Sequence, residues 1–380
     1  MAAVPKPKNL VIHAHEYVRA IAPYQPGKPI SELAREYRLD ADAIVKLASN
    51  ENPLGMPAPA REAMARLLAK PGELALYPDG NGFDLKAALS RKLNVPADWL
   101  TLGSGSNDIL ELAAATVLAP GTSAVYAEHA FAVYALATQA RGASAIVVPA
   151  RDYGHDLDAM LYAIAPDTRV VFIANPNNPT GTFVPHEEVA AFLARVPPDV
   201  LVVLDEAYNE YLPPELRFDS AAWVRQYANL LVSRTFSKAY GLAGLRVGYG
   251  IAQPQLTDLL NRVRQPFNVN SLAQAAATAA LADAAFVEES YQLNRRGMAQ
   301  VTAGFERLGL EYVPSFGNFV MVKVGAAAAV YEGLLRQGVI VRPIAGYGLP
   351  EWLRVTIGLQ AENERFLDAL AKALPAPAGR

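Results

Sequence analysis

The chain has 380 residues, a hydrophobic fraction of 52% and a formal charge of −3 from 34 basic and 37 acidic side chains. Without cysteine it cannot form disulfides, thiolate metal sites or a cysteine nucleophile. A charge so near zero does not supply the basic stripe that nucleic-acid binding needs. The five histidines form no HExxH, so no metal centre is expected.

At about 150 residues per domain, the length predicts two or three structural units. The opening MAAVPKPKNLVIHAHEYVRA has no uninterrupted apolar run before His13, and no signal peptide is read there. The uncharged stretch of residues 112–127 falls short of the ~20 apolar residues that span a bilayer. No membrane span is expected, and the cytoplasm is the expected location.

The first ~50 residues, with PYQPGKPISELAREY and IVKLASNENPLG, read as an arm that packs with the C-terminal part of the chain. In PAREAMARLLAK, Ala60, Ala63, Met64, Leu67 and Leu68 recur at the spacing of an amphipathic helix. From Trp99 onward seven short apolar runs alternate with helical patterns: 100–102, 123–126, 145–148, 170–173, 201–204, 230–232 and 247–251. That rhythm predicts an α/β fold with a mainly parallel seven-stranded sheet and crossover helices. VVFIA and LVVLD are continuous hydrophobic runs, as expected of strands buried on both faces. After Asn268 comes an Ala-rich helical stretch, then GNFVMVKV, GVIVRP and WLRVTIG, read as strands of a smaller α+β unit. The expected division is 1–54 for the arm and part of the small unit, 55–268 for the large unit and 269–380 for the small unit. The PAPAGR tail is expected to fray.

Four segments carry chemistry. GSGSND (103–108) follows a strand and opens a helix; its N–H groups near Ser106 and Asn107 suit a phosphate, or the turn simply carries a Ser cap. NPNNPTG (175–181) follows VVFIA, at the strand end where open α/β sheets place ligand contacts, or merely makes a turn. In DEAY (205–208) a carboxylate follows four apolar residues, where a charge needs a partner unless it caps the next helix. SRTFSKAYGLAGLRVGYG (233–250) places Lys238 in a Ser-, Thr- and Gly-rich turn and Arg246 eight residues on. Together they supply what pyridoxal phosphate requires: an amine to condense with its aldehyde, an anion for its ring nitrogen and ligands for its phosphate.

In this order and spacing, with PYQPGKPISEL, KLASNENPLG, YPDGNGFDLKAAL and LRVTIG, the chain resembles the fold-type I, pyridoxal-phosphate-dependent aminotransferases, specifically the histidinol-phosphate aminotransferase family. The resemblance covers nearly the whole sequence. It implies that Lys238 bonds the cofactor and shuttles the substrate's proton, and that Asp205 keeps the ring nitrogen protonated. It also implies that Asn178 and Tyr208 donate to the ring oxygen. It further implies that Ser106, Asn107, Thr235, Ser237 and Arg246 form the phosphate cup and that Phe131 stacks on the ring. Many relatives have Pro-Thr before that aromatic, where this chain has His129-Ala130. Tyr77 matches a tyrosine that reaches the cofactor phosphate of a neighbouring subunit, so a homodimer with shared active sites is implied. Arg354 would grip the substrate's anionic end, Arg342 and Tyr24 would add phosphate contacts, and Asn52 would shape the pocket through backbone contacts.

The implied reaction exchanges the amino group of L-histidinol phosphate with 2-oxoglutarate, giving imidazole-acetol phosphate and glutamate in histidine biosynthesis. The alternatives are an aromatic or other amino-acid aminotransferase, a phosphothreonine decarboxylase or a non-catalytic binding protein.

Overall fold

The computed structural model describes residues 13–375. The expected frayed tail, apart from Pro375, and the stretch scanned for a signal peptide before His13 lie outside the described residues. Thirteen strands are formed among the described residues. β1 (Val45–Lys46) precedes the seven strands of the large sheet: β2 (Leu100–Gly103), β3 (Ser123–Ala127), β4 (Ser144–Val148), β5 (Thr168–Ala174), β6 (Leu201–Asp205), β7 (Leu230–Thr235) and β8 (Gly248–Ile251). β9 (Tyr312–Val313), β10 (Phe319–Lys323), β11 (Val339–Ile340), β12 (Arg342–Pro343) and β13 (Trp352–Thr356) follow.

All seven apolar runs after Trp99 enter one sheet, in the order β2-β8-β7-β6-β5-β3-β4. β8 runs antiparallel to both neighbours and the other pairings are parallel. Six strands therefore end on one edge, where an open α/β sheet gathers its ligand contacts. Val170 to Ile173 in β5 and Val202 to Leu204 in β6 are buried, which is why these runs do not alternate in polarity.

The second cluster of apolar side chains draws on both ends of the chain. Val45 and Leu47 pack with Val320, Val322, Leu353 and Val355, and β1 pairs in parallel with β11. β12, β13, β10 and β9 form the smaller antiparallel sheet. The Ala-rich helix Ser271–Ala282, assigned to the small unit on sequence, lies elsewhere. Its stripe of Ala273, Ala276, Ala277 and Ala280 belongs to the large core, packed on the helices Ala58–Leu68 and Phe83–Leu93. Small side chains let those helices approach closely, and the sequence pattern does not say which neighbour they serve. The long helix Ala284–Arg307 bridges the clusters, with Val287 against the large one and Val301 and Phe305 in the small one. We propose the unit boundary within that helix rather than after residue 268.

Candidate active site

One cavity gathers the ends of β5, β6 and β7, the start of the helix Ser106–Val117, and the small unit's β12 and β13. Of the fifteen site residues expected from sequence, thirteen line it: Tyr24, Ser106, Asn107, Phe131, Asn178, Asp205, Tyr208, Thr235, Ser237, Lys238, Arg246, Arg342 and Arg354. Tyr77 and Asn52 do not.

Asp205 ends β6 with its carboxylate buried. One oxygen, Oδ2, accepts the Tyr134 hydroxyl at 3.0 Å, while Oδ1 has no hydrogen-bond partner among the described residues. Burial pushes its pKa up to about 6, against the Tyr134 hydroxyl and the Ala207 N–H, which favour the ionised form. Asp205 is therefore a buried acceptor facing the cavity rather than a helix cap.

Lys238 Nζ donates to the Ser49 carbonyl at 3.2 Å and lies 5.7 Å from the centre of the Tyr208 ring. Burial lowers its pKa to about 8, helped by Arg354 and Arg246 and opposed by Glu51 and Asp205. A reactive neutral amine is thus available near neutral pH.

The turn before the helix Ser106–Val117 is capped by Gly105 at φ 80°, with no side-chain cap. Ser106 is the first helical residue, so the Ser-cap alternative does not hold. A Cβ on Gly105 would lie 2.3 Å from Arg246 Nη2, and one on Gly248 would lie 2.5 Å from the Ser106 nitrogen. Both glycines are needed for this close approach. Arg246 Nη1 donates to Ser237 Oγ at 3.3 Å, which sets the guanidinium beside the helix N-terminus. That is an anion site with donors on two sides.

The second anion site comes from the small unit. Arg342 and Arg354 are cross-strand partners on β12 and β13. Arg354 donates to Asn178 Oδ1 at 2.6 Å and to the Ala48 carbonyl at 2.7 Å. Its buried Nε has no partner among the described residues. Arg342 sits 5.4 Å from the Tyr24 ring centre and donates to the Gln25 carbonyl at 2.6 Å, holding the arm across the cavity. Arg342 lies on an edge strand, yet it is half-buried and faces the cavity.

The model of the family Aminotransferase class I and II matches residues 42–370. The chain belongs to that family. Within it the chain falls among the histidinol-phosphate aminotransferases. It is 69% identical over 363 residues to a Ralstonia nicotianae protein named histidinol-phosphate aminotransferase 2, covering 94% of this chain and 96% of that one. It is 67% identical over 378 residues to histidinol-phosphate aminotransferase 1 of Cupriavidus pinatubonensis, covering 98% and 100%. Among solved structures, histidinol-phosphate aminotransferase of Sinorhizobium meliloti in complex with pyridoxal-5′-phosphate superposes with a TM-score of 0.88. Its sequence identity is 27%, with 96% of this chain and 98% of that one covered.

In this aminotransferase two residues outside the expected set complete the site. Asn50, at φ 54°, donates from Nδ2 to the Tyr208 hydroxyl at 2.9 Å and is itself fixed by Thr356. With its oxygen occupied by that bond, Tyr208 keeps its own hydroxyl hydrogen for the cavity; burial pushes its pKa up to about 12. Sequence reasoning chose Asn52 from the same NENPLG stretch. Asn52 instead points away from the cavity, to the Ala239 carbonyl at 3.0 Å and Ser290 Oγ at 2.8 Å, and braces the backbone next to Lys238. Tyr134, the second addition, is three residues after Phe131 on the helix Ala132–Ala140. That spacing, one turn along the same face, is the sequence signal that could have found it.

Tyr77 is 81% exposed and stacks on Phe267 at 4.6 Å. In the flanking sequence Leu68, Leu74, Leu76 and Phe83 are also exposed. Leu68 was expected on the buried face of its helix; the outer end of that face instead opens to this apolar surface.

Proposed function

We propose that this aminotransferase binds pyridoxal phosphate and transfers the amino group of L-histidinol phosphate to 2-oxoglutarate, giving imidazole-acetol phosphate and glutamate in histidine biosynthesis. The observation that carries the reading is the charge of the cavity, whose lining sets Lys238, Arg246, Arg342 and Arg354 against Asp205. Its arginines stand in two groups, one at a helix N-terminus and one on β12 and β13. This arrangement suits two anionic groups, the cofactor's phosphate and the substrate's anionic end.

The residues fit the cofactor. The free Oδ1 of Asp205 suits a protonated ring nitrogen, and Gly105 and Gly248 leave room that a Cβ would take from a phosphate. Ser106, Asn107, Thr235, Ser237 and Arg246 would hold that phosphate, Phe131 would face the ring, and Asn178 and Tyr208 would reach its hydroxyl oxygen. When bound, pyridoxal phosphate supplies an aldehyde that takes up the amino group and a ring that draws electrons from the adjoining C–H bond.

The protein's own residues do the rest. Asp205 holds the proton on the ring nitrogen, and Tyr134 keeps the carboxylate in place. Lys238 Nζ, neutral above about pH 8, takes the proton from Cα of the amino donor. Arg354, with Arg342 and Tyr24, grips the phosphate of histidinol phosphate or a carboxylate of 2-oxoglutarate, since a planar fork suits either anion. Asn52 contributes by bracing the backbone at Ala239.

The single-turnover comparison is direct. Loaded enzyme mixed with L-histidinol phosphate is expected to change its cofactor absorbance about 10²-fold more efficiently than with L-phenylalanine, because the latter lacks the phosphate. Equal or faster conversion by phenylalanine would keep the cofactor and overturn the substrate.

The apolar surface around Tyr77 supports a homodimer in which Tyr77 reaches the neighbouring subunit's cofactor phosphate. Sedimentation is expected to give twice the chain mass, and Leu76→Asp is expected to give monomers with weakened cofactor binding. A monomeric wild-type protein would remove the shared site. No described helix is long and apolar enough to cross a membrane, which is compatible with the cytoplasmic location we propose.

A further inference from the structure

The dipeptide His129-Ala130, just before Phe131, has a definite place in the structure. His129 is buried and stands just after β3, two residues before Phe131, which lines the catalytic cavity. Its Nδ1 lies 2.7 Å from the carbonyl oxygen of Tyr347. A carbonyl only accepts, so the ring nitrogen carries the hydrogen. The His129 carbonyl accepts Asn177 Nδ2 at 2.8 Å, from the NPNNPTG loop. The ring stacks at 6.2 Å on Tyr153, which meets Trp352 edge-on at 5.3 Å.

Tyr347 belongs to the short turn Ala345–Tyr347 between β12 and β13. The same hairpin carries Arg342 on one strand and Arg354 on the other. Tyr347 and Ala132 also line the same cleft. Beyond it Gly348, at φ 76°, brings the backbone to the imidazole; a Cβ there would lie 3.6 Å from His129 Cε1. Thus His129 of the large unit clasps the hairpin tip, two residues before Phe131. A cleft of about 490 Å³ runs along this clasp and shares Tyr24, Phe131 and Arg342 with the catalytic cavity.

We propose that His129 is a positioning residue for the substrate. Its hydrogen bond to Tyr347 pins the tip of the hairpin whose strands hold the two arginines of the second anion site. The bond thereby fixes their distance from Lys238 and Asp205, which stand on the large unit. The inference rests on the aminotransferase reading of the cavity. It concerns a contact made to a backbone carbonyl, so an asparagine, whose Nδ2 stands close to where the imidazole Nδ1 does, can replace the donor. Alanine cannot.

His129→Ala and His129→Asn test this together. In His129→Ala the KM for L-histidinol phosphate is expected to rise about five- to tenfold, the worth of one hydrogen bond, with kcat within about twofold and cofactor affinity unchanged. His129→Asn is expected to stay within about threefold of wild type. Amide exchange over residues 344–349 is expected to quicken about tenfold in His129→Ala alone. Unchanged KM and exchange in His129→Ala would overturn the proposal. So would equal losses in both variants with a lowered melting temperature, which would make the imidazole a packing residue. If the wild-type protein transfers no amino group, the functional reading fails. The exchange comparison then still decides whether His129 holds the hairpin.

Discussion

Lys238→Ala is expected to lower turnover by more than about 10⁴-fold, because in the proposed roles one change removes both the nucleophile and the group that moves the Cα proton. The fold should survive. Nζ makes one modest hydrogen bond, to Ser49, and burial already disfavours its charge, so truncation removes a desolvated cation. The melting temperature of the cofactor-free protein is expected to hold or rise. Stopped-flow mixing with pyridoxal phosphate checks the chemistry separately. In wild type the rate of covalent uptake should climb with pH and level off above about 8, as the amine loses its proton. In the variant, the absorbance change of covalent uptake should be missing at every pH. A variant that retained turnover would move the catalytic amine elsewhere.

Asp205→Asn is expected to cost about 10²–10³-fold in kcat, the usual scale for removing one preorganised electrostatic partner of a developing charge. Tyr134→Phe should act in the same direction and less. It removes the hydroxyl that favours the ionised carboxylate, and so should weaken cofactor affinity about tenfold, within the range for a hydrogen bond to a charged group. Comparable losses in kcat for the two variants would contradict the assigned roles. The pH dependence of stability gives an independent check. Asp205 is raised from 3.8 to about 6, so the folded state favours its protonated form. The associated stability is fully present below about pH 4 and is lost as pH rises through about 6. A rise of that size corresponds to about 3 kcal/mol. Chemical denaturation of the cofactor-free protein is expected to show this loss between pH 4 and 7 in wild type and not in Asp205→Asn. Bound cofactor should reverse it, since a protonated ring nitrogen gives the buried carboxylate its missing partner.

Most of this architecture was legible because its signals are local. A parallel strand covered on both faces must be apolar throughout, so VVFIA and LVVLD announce themselves, and the residues after them fall at strand ends. The reversed direction of β8 was not legible, since a short apolar run reads the same both ways. The helix Ser271–Ala282 was misplaced because an alanine stripe specifies close packing without naming the partner. The choice of Asn52 over Asn50 shows a limit of a different kind. Both stand in one short loop, and the left-handed backbone at Asn50 decides which side chain enters the cavity. The spacing from Phe131 marks Tyr134 as a candidate, but its partner, Asp205, lies 71 residues away, so spacing alone does not give its role. Leu68 looked like core, and its exposure makes sense only beside Leu74, Leu76 and Tyr77.

The pairing of β1 with β11 has a consequence for the order in which the site is made. Every residue of the proposed phosphate cup has been synthesised once Arg246 is added, whereas Arg354 follows about a hundred residues later. At the ~5–20 residues per second of translation, that gap lasts roughly 5–20 s. Over that interval the nascent chain contains the proposed cofactor-binding residues without the strand that carries Arg354. Asn50 and the arm, made first, wait longest, because the strand that β1 pairs with is among the last to appear.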